Sequence, residues 1–198
     1  MRHDFREQIA DTLQQLADVL QSLDADRWGA QSLCDRWTVR DVAGHIVWRV
    51  GNSFPEMMRT ALPMLTLTRP SPSALTDAVS RQEGEASSPE DLVRKIRRIA
   101  ALRRAGIGRT GTNDLVETVV HSYDIVQPLG IPIRVEPDAT RRVALRGLLM
   151  TSADRRVVVS HNTLSATDAG WAIGRGPVME GSAQGIVLYL FGRKPVRI

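Results

Sequence analysis

The chain is short of cysteine, of lysine, of aromatic residues and of long apolar stretches, and each shortage closes off a class of protein. One thiol, Cys34, in 198 residues cannot pair within the chain, so no disulfide framework holds the fold and the composition suits a reducing compartment. The longest uninterrupted apolar run is Ile186 to Phe191, far below the roughly 20 residues that cross a bilayer. Met1 to Thr12 mixes charged and apolar residues where a signal peptide needs a continuous apolar core. The expectation is a cytoplasmic protein without membrane association. Of 26 basic residues only Lys95 and Lys194 are lysines. Arginine supplies forked donors for carboxylates, but GC-rich coding produces the same bias with no functional cause, and that plainer origin is preferred. A formal net charge of +4 spread along the chain does not make a nucleic-acid-binding protein.

What is present is ordinary for a globular chain: 42% hydrophobic and 24% charged residues, with enough length to bury a core. No internal repeat recurs. An amphipathic helix over about 4–22 carries Phe5, Ile9, Leu13, Leu16, Leu20 and Leu23 at spacings of three and four, and a loop with Trp28 and Gly29 follows. Thr38 and Asp41 form a capping box, flanked by a Trp37/Val42 staple. That second helix runs through Ala43, Ile46, Val47 and Val50 and bends near Pro55. Three prolines make 62–73 a connection, and a short helix over about 74–85 comes next. Ser88-Pro89 starts a third long helix that stops at Gly106 or Gly108; a fourth starts at a Thr112 or Asn113 cap and ends at Gly130. Beyond Pro137 the reading is one helix over about 139–150, strands at 157–160, 164–167, 171–174 and 177–180, and a final helix over about 182–191. The fold class is mainly α with an α+β C-terminal lobe: a helical bundle over 1–135 and a small α+β lobe over 136–198.

The fourth helix places Glu117, His121 and Asp124 on one face, four and then three residues apart, among Val116, Val119, Val120 and Tyr123. A Glu/His pair at this spacing is often only a salt-bridged surface. The second helix shifts the balance, because His45 follows Gly44 and is flanked by apolar residues. Two helices that each turn an imidazole inward, with a carboxylate one turn away, are most simply explained by a metal. His45, Glu117 and His121 supply three ligands and leave a coordination position free, which is a catalytic arrangement. The donor set suits Zn²⁺ best, and Ni²⁺ and Fe²⁺ also fit. Asp124 either orients a ligand or moves protons at the open position, or it makes a helix-end hydrogen bond.

Three motifs resemble the mycothiol-dependent maleylpyruvate isomerase family of the DinB-like superfamily: Ser32 to Ile46 around His45, Glu117-x-x-x-His121-x-x-Asp124, and Ala166 to Trp171 with Gly174 to Pro177 and Gly192-Arg193. The resemblance implies a DinB-like up-and-down four-helix bundle with a small C-terminal α+β domain. It implies a divalent metal, usually zinc, on His45, Glu117 and His121. Asp124 would be a functional neighbour, and Arg193 an arginine of the C-terminal lobe that faces the site. Mycothiol is the implied co-substrate, its thiol activated at the metal's free position for isomerisation of a maleylpyruvate-like acid or for transfer to an electrophile. The partners would be a small thiol and a small acid or electrophile. The alternative is a DinB-like metal-binding module without turnover, with a structural or sensing role.

The remaining candidates are read plainly. Cys34 is a packing residue, His161 a hairpin-turn residue, and His3 part of a disordered terminus. Gly174-Arg175-Gly176 is a turn. Arg94, Lys95, Arg97, Arg98, Arg103 and Arg104 form the solvated face of the third helix. Oligomeric state has no signature in the sequence.

Overall fold

The computed structural model describes residues 4–63 and 72–193. Among these the chain forms two compact units, Met1–Ile133 and Arg134–Ile198. The expectation for His3, and the middle of the 62–73 connection, lie outside the described residues.

The first unit is helical: α1 (Arg6–Gln21), α2 (Ala25–Trp28), α3 (Val39–Gly51), α4 (Phe54–Ala61), α5 (Pro72–Ala86), α6 (Pro89–Arg104) and α7 (Thr112–Leu129). The four long helices α1, α3, α6 and α7 make the bundle: α1 and α3 each pack against both α6 and α7, and α5 lies along α3. Ile9, Leu13, Leu16 and Leu20 of α1, Ile46 of α3, Leu92 and Ile96 of α6, and Leu115 and Ile125 of α7 are fully buried. The three-to-four spacing of these residues is what folds the unit, since a helix with one apolar stripe must bury it against another.

Local signals set the boundaries. Thr38 and Asp41 form the reciprocal capping box of α3, with the Thr38 amide donating to Asp41 Oδ2 at 2.9 Å. The helix does not bend at Pro55. It ends at Gly51, and Ser53 with Glu56 caps α4 anew, Pro55 standing in its first turn. The loop expected around Trp28 contains the short helix α2, because the Asp24 carboxylate accepts from the Arg27 amide at 2.9 Å. Gly106, not Gly108, closes α6. Its φ is 73°, its amide donates to the Arg103 carbonyl, and the Ile107 amide donates to the Leu102 carbonyl, the paired bonds of a Schellman ending. At α7 the cap is Gly111, with no side-chain hydrogen bond, and not Thr112 or Asn113. Asp114 supplies the first-turn negative charge there while its carboxylate accepts from Arg109 Nε at 2.9 Å.

The basic face of α6 is mostly paired: Arg94 with Asp91, Lys95 with Glu83, Arg97 with Asp18, and Arg104 with Asp11. Arg103 departs from the expected solvated face. It is buried, and its guanidinium donates to the carbonyls of Ile107 and Val50, which makes it an internal clamp between α6 and the end of α3.

The second unit holds α8 (Pro137–Met150), α9 (Ala153–Ser160), β1 (Thr163–Ala166), β2 (Trp171–Gly174), β3 (Val178–Gly181) and α10 (Ala183–Leu190). The sheet order is β2-β1-β3, with β1 antiparallel to β2 and parallel to β3. Leu164, Ala166, Trp171 and Ile173 are buried, the α8 and α10 helices pack beside the sheet, and Trp171 Nε1 donates to Thr140 Oγ1 at 2.9 Å. The strand expected at 157–160 is the helix α9. Its three valines favour a strand in isolation, but the turn they belong to begins at Ala153, and the last carbonyls are capped by Asn162 Nδ2 on the Val158 carbonyl at 2.8 Å. His161 is the C-cap of this helix, not a hairpin residue.

Candidate metal centre

His45 and His121 come from α3 and α7 and meet edge to face, their ring centroids 4.5 Å apart. Glu117 lies between their tips: its Oε2 is 3.4 Å from His45 Nε2 and 3.4 Å from His121 Nε2. Ligand atoms of the three residues all fall within 4.8 Å of one another. Trp37 covers the group, its ring 4.9 Å from that of His45.

The α3/α5 crossing fixes His45. A Cβ on Gly44 would stand 2.6 Å from both the Gly84 amide nitrogen and the Ser80 carbonyl oxygen, so only glycine lets the two backbones come this close. The approach brings Ser80 Oγ to 3.0 Å from His45 Nδ1. Ser80 itself donates to the Thr76 carbonyl at 2.7 Å, so its oxygen accepts from His45 Nδ1–H, and the lone pair of the neutral ring falls on Nε2. On α7, His121 Nδ1 lies 3.0 Å from Asp124 Oδ2. A carboxylate accepts at that position, so the second ring also offers Nε2 to the cluster.

The electrostatics are uneven. Burial, and then the neighbouring His121 charge, lower the His45 pKa to about 4. Burial pushes Glu117 up, but the imidazoles beside its Oε2, the charged His121 ahead of His45, outweigh it and hold the carboxyl well below the usual carboxylate range. Burial also opposes charge on His121, yet its bonds to Asp124, Cys34 and Glu117 raise its pKa well above the ordinary value.

Three residues of the centre escaped the sequence reading. Cys34 is not simply a packing residue: its Sγ donates to Asp124 Oδ2 at 3.2 Å and stands 4.0 Å from His121 Nδ1. The Leu33 amide donates to the Asp124 carbonyl at 3.0 Å, which ties the segment before α3 to α7. Ser80 comes from a helix whose approach to His45 no local pattern announces. Arg49, whose Nε lies 3.2 Å from Glu117 Oε1, also escaped the sequence reading, although its place four residues after His45 on the same helix face was a signal that could have found it. Asp124 is fully buried beside His121. Arg193 lies in the second unit just past α10, where its guanidinium donates to the Phe191 carbonyl at 3.2 Å.

Donor chemistry and spacing both fit a divalent ion at His45, Glu117 and His121. Bonds of about 2.0–2.2 Å in a tetrahedral arrangement set neighbouring donors about 3.4 Å apart, the separation seen from Glu117 to each imidazole.

Fold and side chains define a four-helix bundle that gathers two imidazoles and a carboxylate between two of its helices, with an α+β unit following it. The chain belongs to the family of the mycothiol maleylpyruvate isomerase N-terminal domain, whose model matches residues 9–123. Its fold is similar to crystal structures of the mycothiol-dependent maleylpyruvate isomerase and of a mutant of that enzyme. Each aligns with a TM-score of 0.58 at 16% identity, over 98% of this chain and 93% of the other. No protein of curated function matches. No helix among the described residues is long and apolar enough to cross a membrane.

Proposed function

We propose that the chain is a metal-dependent enzyme that uses mycothiol to isomerise a maleylpyruvate-like acid about its double bond, or to transfer that thiol to an electrophile. His45, Glu117 and His121 would hold the metal, zinc being the best match to the donors, with Ni²⁺ or Fe²⁺ compatible. The observation that carries the reading is the pair of 3.4 Å approaches to Glu117 Oε2 by two Nε2 atoms whose Nδ1 partners are already engaged by Ser80 and Asp124. A divalent ion held by these residues would supply positive charge that depresses the pKa of a bound thiol.

The chain's own residues would do the rest. Ser80 and Asp124 keep both imidazoles in the tautomer that exposes Nε2, and Trp37 shields one side of the site from water. Asp124 holds the Nδ1 proton of His121 as charge changes nearby. In the isomerase reading, thiolate sulfur adds to the conjugated double bond to give an enolate. The former double bond turns as a single bond, and the sulfur departs as the electrons return. Arg193 is assigned to the substrate's carboxylate or to that enolate. In the transferase reading the C–S bond forms and stays.

Turnover of maleylpyruvate by zinc-loaded protein, with and without mycothiol, tests the proposal. Thiol-dependent conversion to the trans isomer is expected. Bound metal with neither thiol binding nor turnover would instead make the chain a DinB-like metal-binding module of structural or sensing role.

A further inference from the structure

Glu117 is shared between two sides. Its Oε2 faces the imidazoles, and its Oε1 is held by Arg49 Nε at 3.2 Å. Arg49 carries five N–H donors in a rigid fork, and only Nε is committed to that carboxylate. Its Nη1 faces the Met57 sulfur at 3.7 Å, a weak acceptor. Arg109 reaches the same sulfur, with Nη1 at 3.9 Å, while its Nη2 donates to the Arg49 carbonyl at 2.5 Å and its Nε to Asp114 at 2.9 Å. Arg103 lies within the electrostatic reach of Arg109 and Asp114. Arg49 and Arg109 thus stand side by side at the Met57 sulfur, Arg49 paired with Glu117 of the imidazole cluster and Arg109 with Asp114. Arg49 and Arg109 keep 29% and 30% of their side-chain surface open to solvent.

We propose that Arg49 is a substrate-binding residue that takes a carboxylate of the acid substrate through the outer edge of its fork, while its Nε holds Glu117 in place. This rests on the acid-isomerase reading above and adds the group that selects a carboxylate on the bundle side. A guanidinium meets a carboxylate with two parallel bonds where an ammonium offers a point charge. Arg109, anchored at Asp114, braces the Arg49 backbone.

The test is maleate binding by calorimetry to zinc-loaded wild type, Arg49→Lys and Arg49→Gln, with metal content measured on the same samples. At saturating zinc, Arg49→Gln is expected to lose maleate affinity by about tenfold or more, with Arg49→Lys between it and wild type. Wild-type maleate affinity in metal-loaded Arg49→Gln overturns the proposal. A second measurement does not depend on the variants folding: phenylglyoxal labelling of Arg49 in the wild-type protein, mapped by mass spectrometry, should slow when maleate is added. Labelling at Arg49 that maleate leaves unchanged also overturns it. Failure of the enzyme reading shows separately, as absence of thiol-dependent turnover in protein that still binds maleate through Arg49.

Discussion

His121 Nδ1 lies 3.0 Å from a carboxylate oxygen of Asp124, and Asp124 has no exposed surface. A buried carboxylate needs partners. This one accepts from His121 and from Cys34, and in return it fixes which imidazole nitrogen is free to bind an ion. Asp124→Ala should therefore weaken zinc binding by about 10–100-fold, the usual loss when such an orienting partner is removed. Competition against a chromophoric chelator measures this, and unchanged affinity would show that Asp124 does not orient the ring.

Metal uptake at pH 7 should release about one proton per ion, because ligands must be deprotonated to bind. The directions assign its source. His45, lowered to about 4, and Glu117, held below the usual range, are already deprotonated, whereas His121 is raised well above its ordinary value. Calorimetric enthalpies in buffers of different ionisation heat give the proton count; a count of zero would mean that metal-free His121 is neutral.

The same directions fix how metal-free stability depends on pH. His121 is raised in the folded state, so its contribution is complete below the unfolded value near 6.5 and is lost as pH rises through the folded value. His45 is lowered, so its contribution is complete above 6.5 and fades as pH falls toward 4. Denaturation of the metal-free protein across pH should show His121→Asn costing most on the acidic side of neutrality. An equal cost at alkaline pH would contradict the assignment.

Gly44→Ala should destabilise the protein by about 1–3 kcal/mol, because the new Cβ meets backbone atoms of α5 at 2.6 Å that cannot rotate away. Gly84→Ala meets its nearest neighbour, the Arg40 carbonyl oxygen, at 3.1 Å and should cost less. Chemical denaturation ranks the two; the reverse order would show that the crossing is not set at Gly44.

The bundle and most of its site were legible where the signal is local. The apolar stripes of α1 and α6, the Thr38/Asp41 cap and the Glu117, His121, Asp124 series all lie within one or two helical turns, and they carried through to the structure. The misreadings lie where tertiary contacts override local preference. Val157 to Val159 read as a strand but close a helix, and Arg103 read as solvated but clamps two carbonyls inside. Ser80 and Cys34 join the site from 35 and 87 residues away in sequence. No periodicity reports such contacts, and the close crossing at Gly44 that brings Ser80 in is seen only in the structure.

Zinc content of the purified protein tests the central claim most directly, measured by plasma mass spectrometry on wild type, His45→Ala and His121→Ala, with circular dichroism to confirm that the helices persist. The account predicts one ion per chain in wild type and its loss in both variants with the helical signal kept. Full metal retained in both variants, or wild type that takes up no stoichiometric ion, would contradict it.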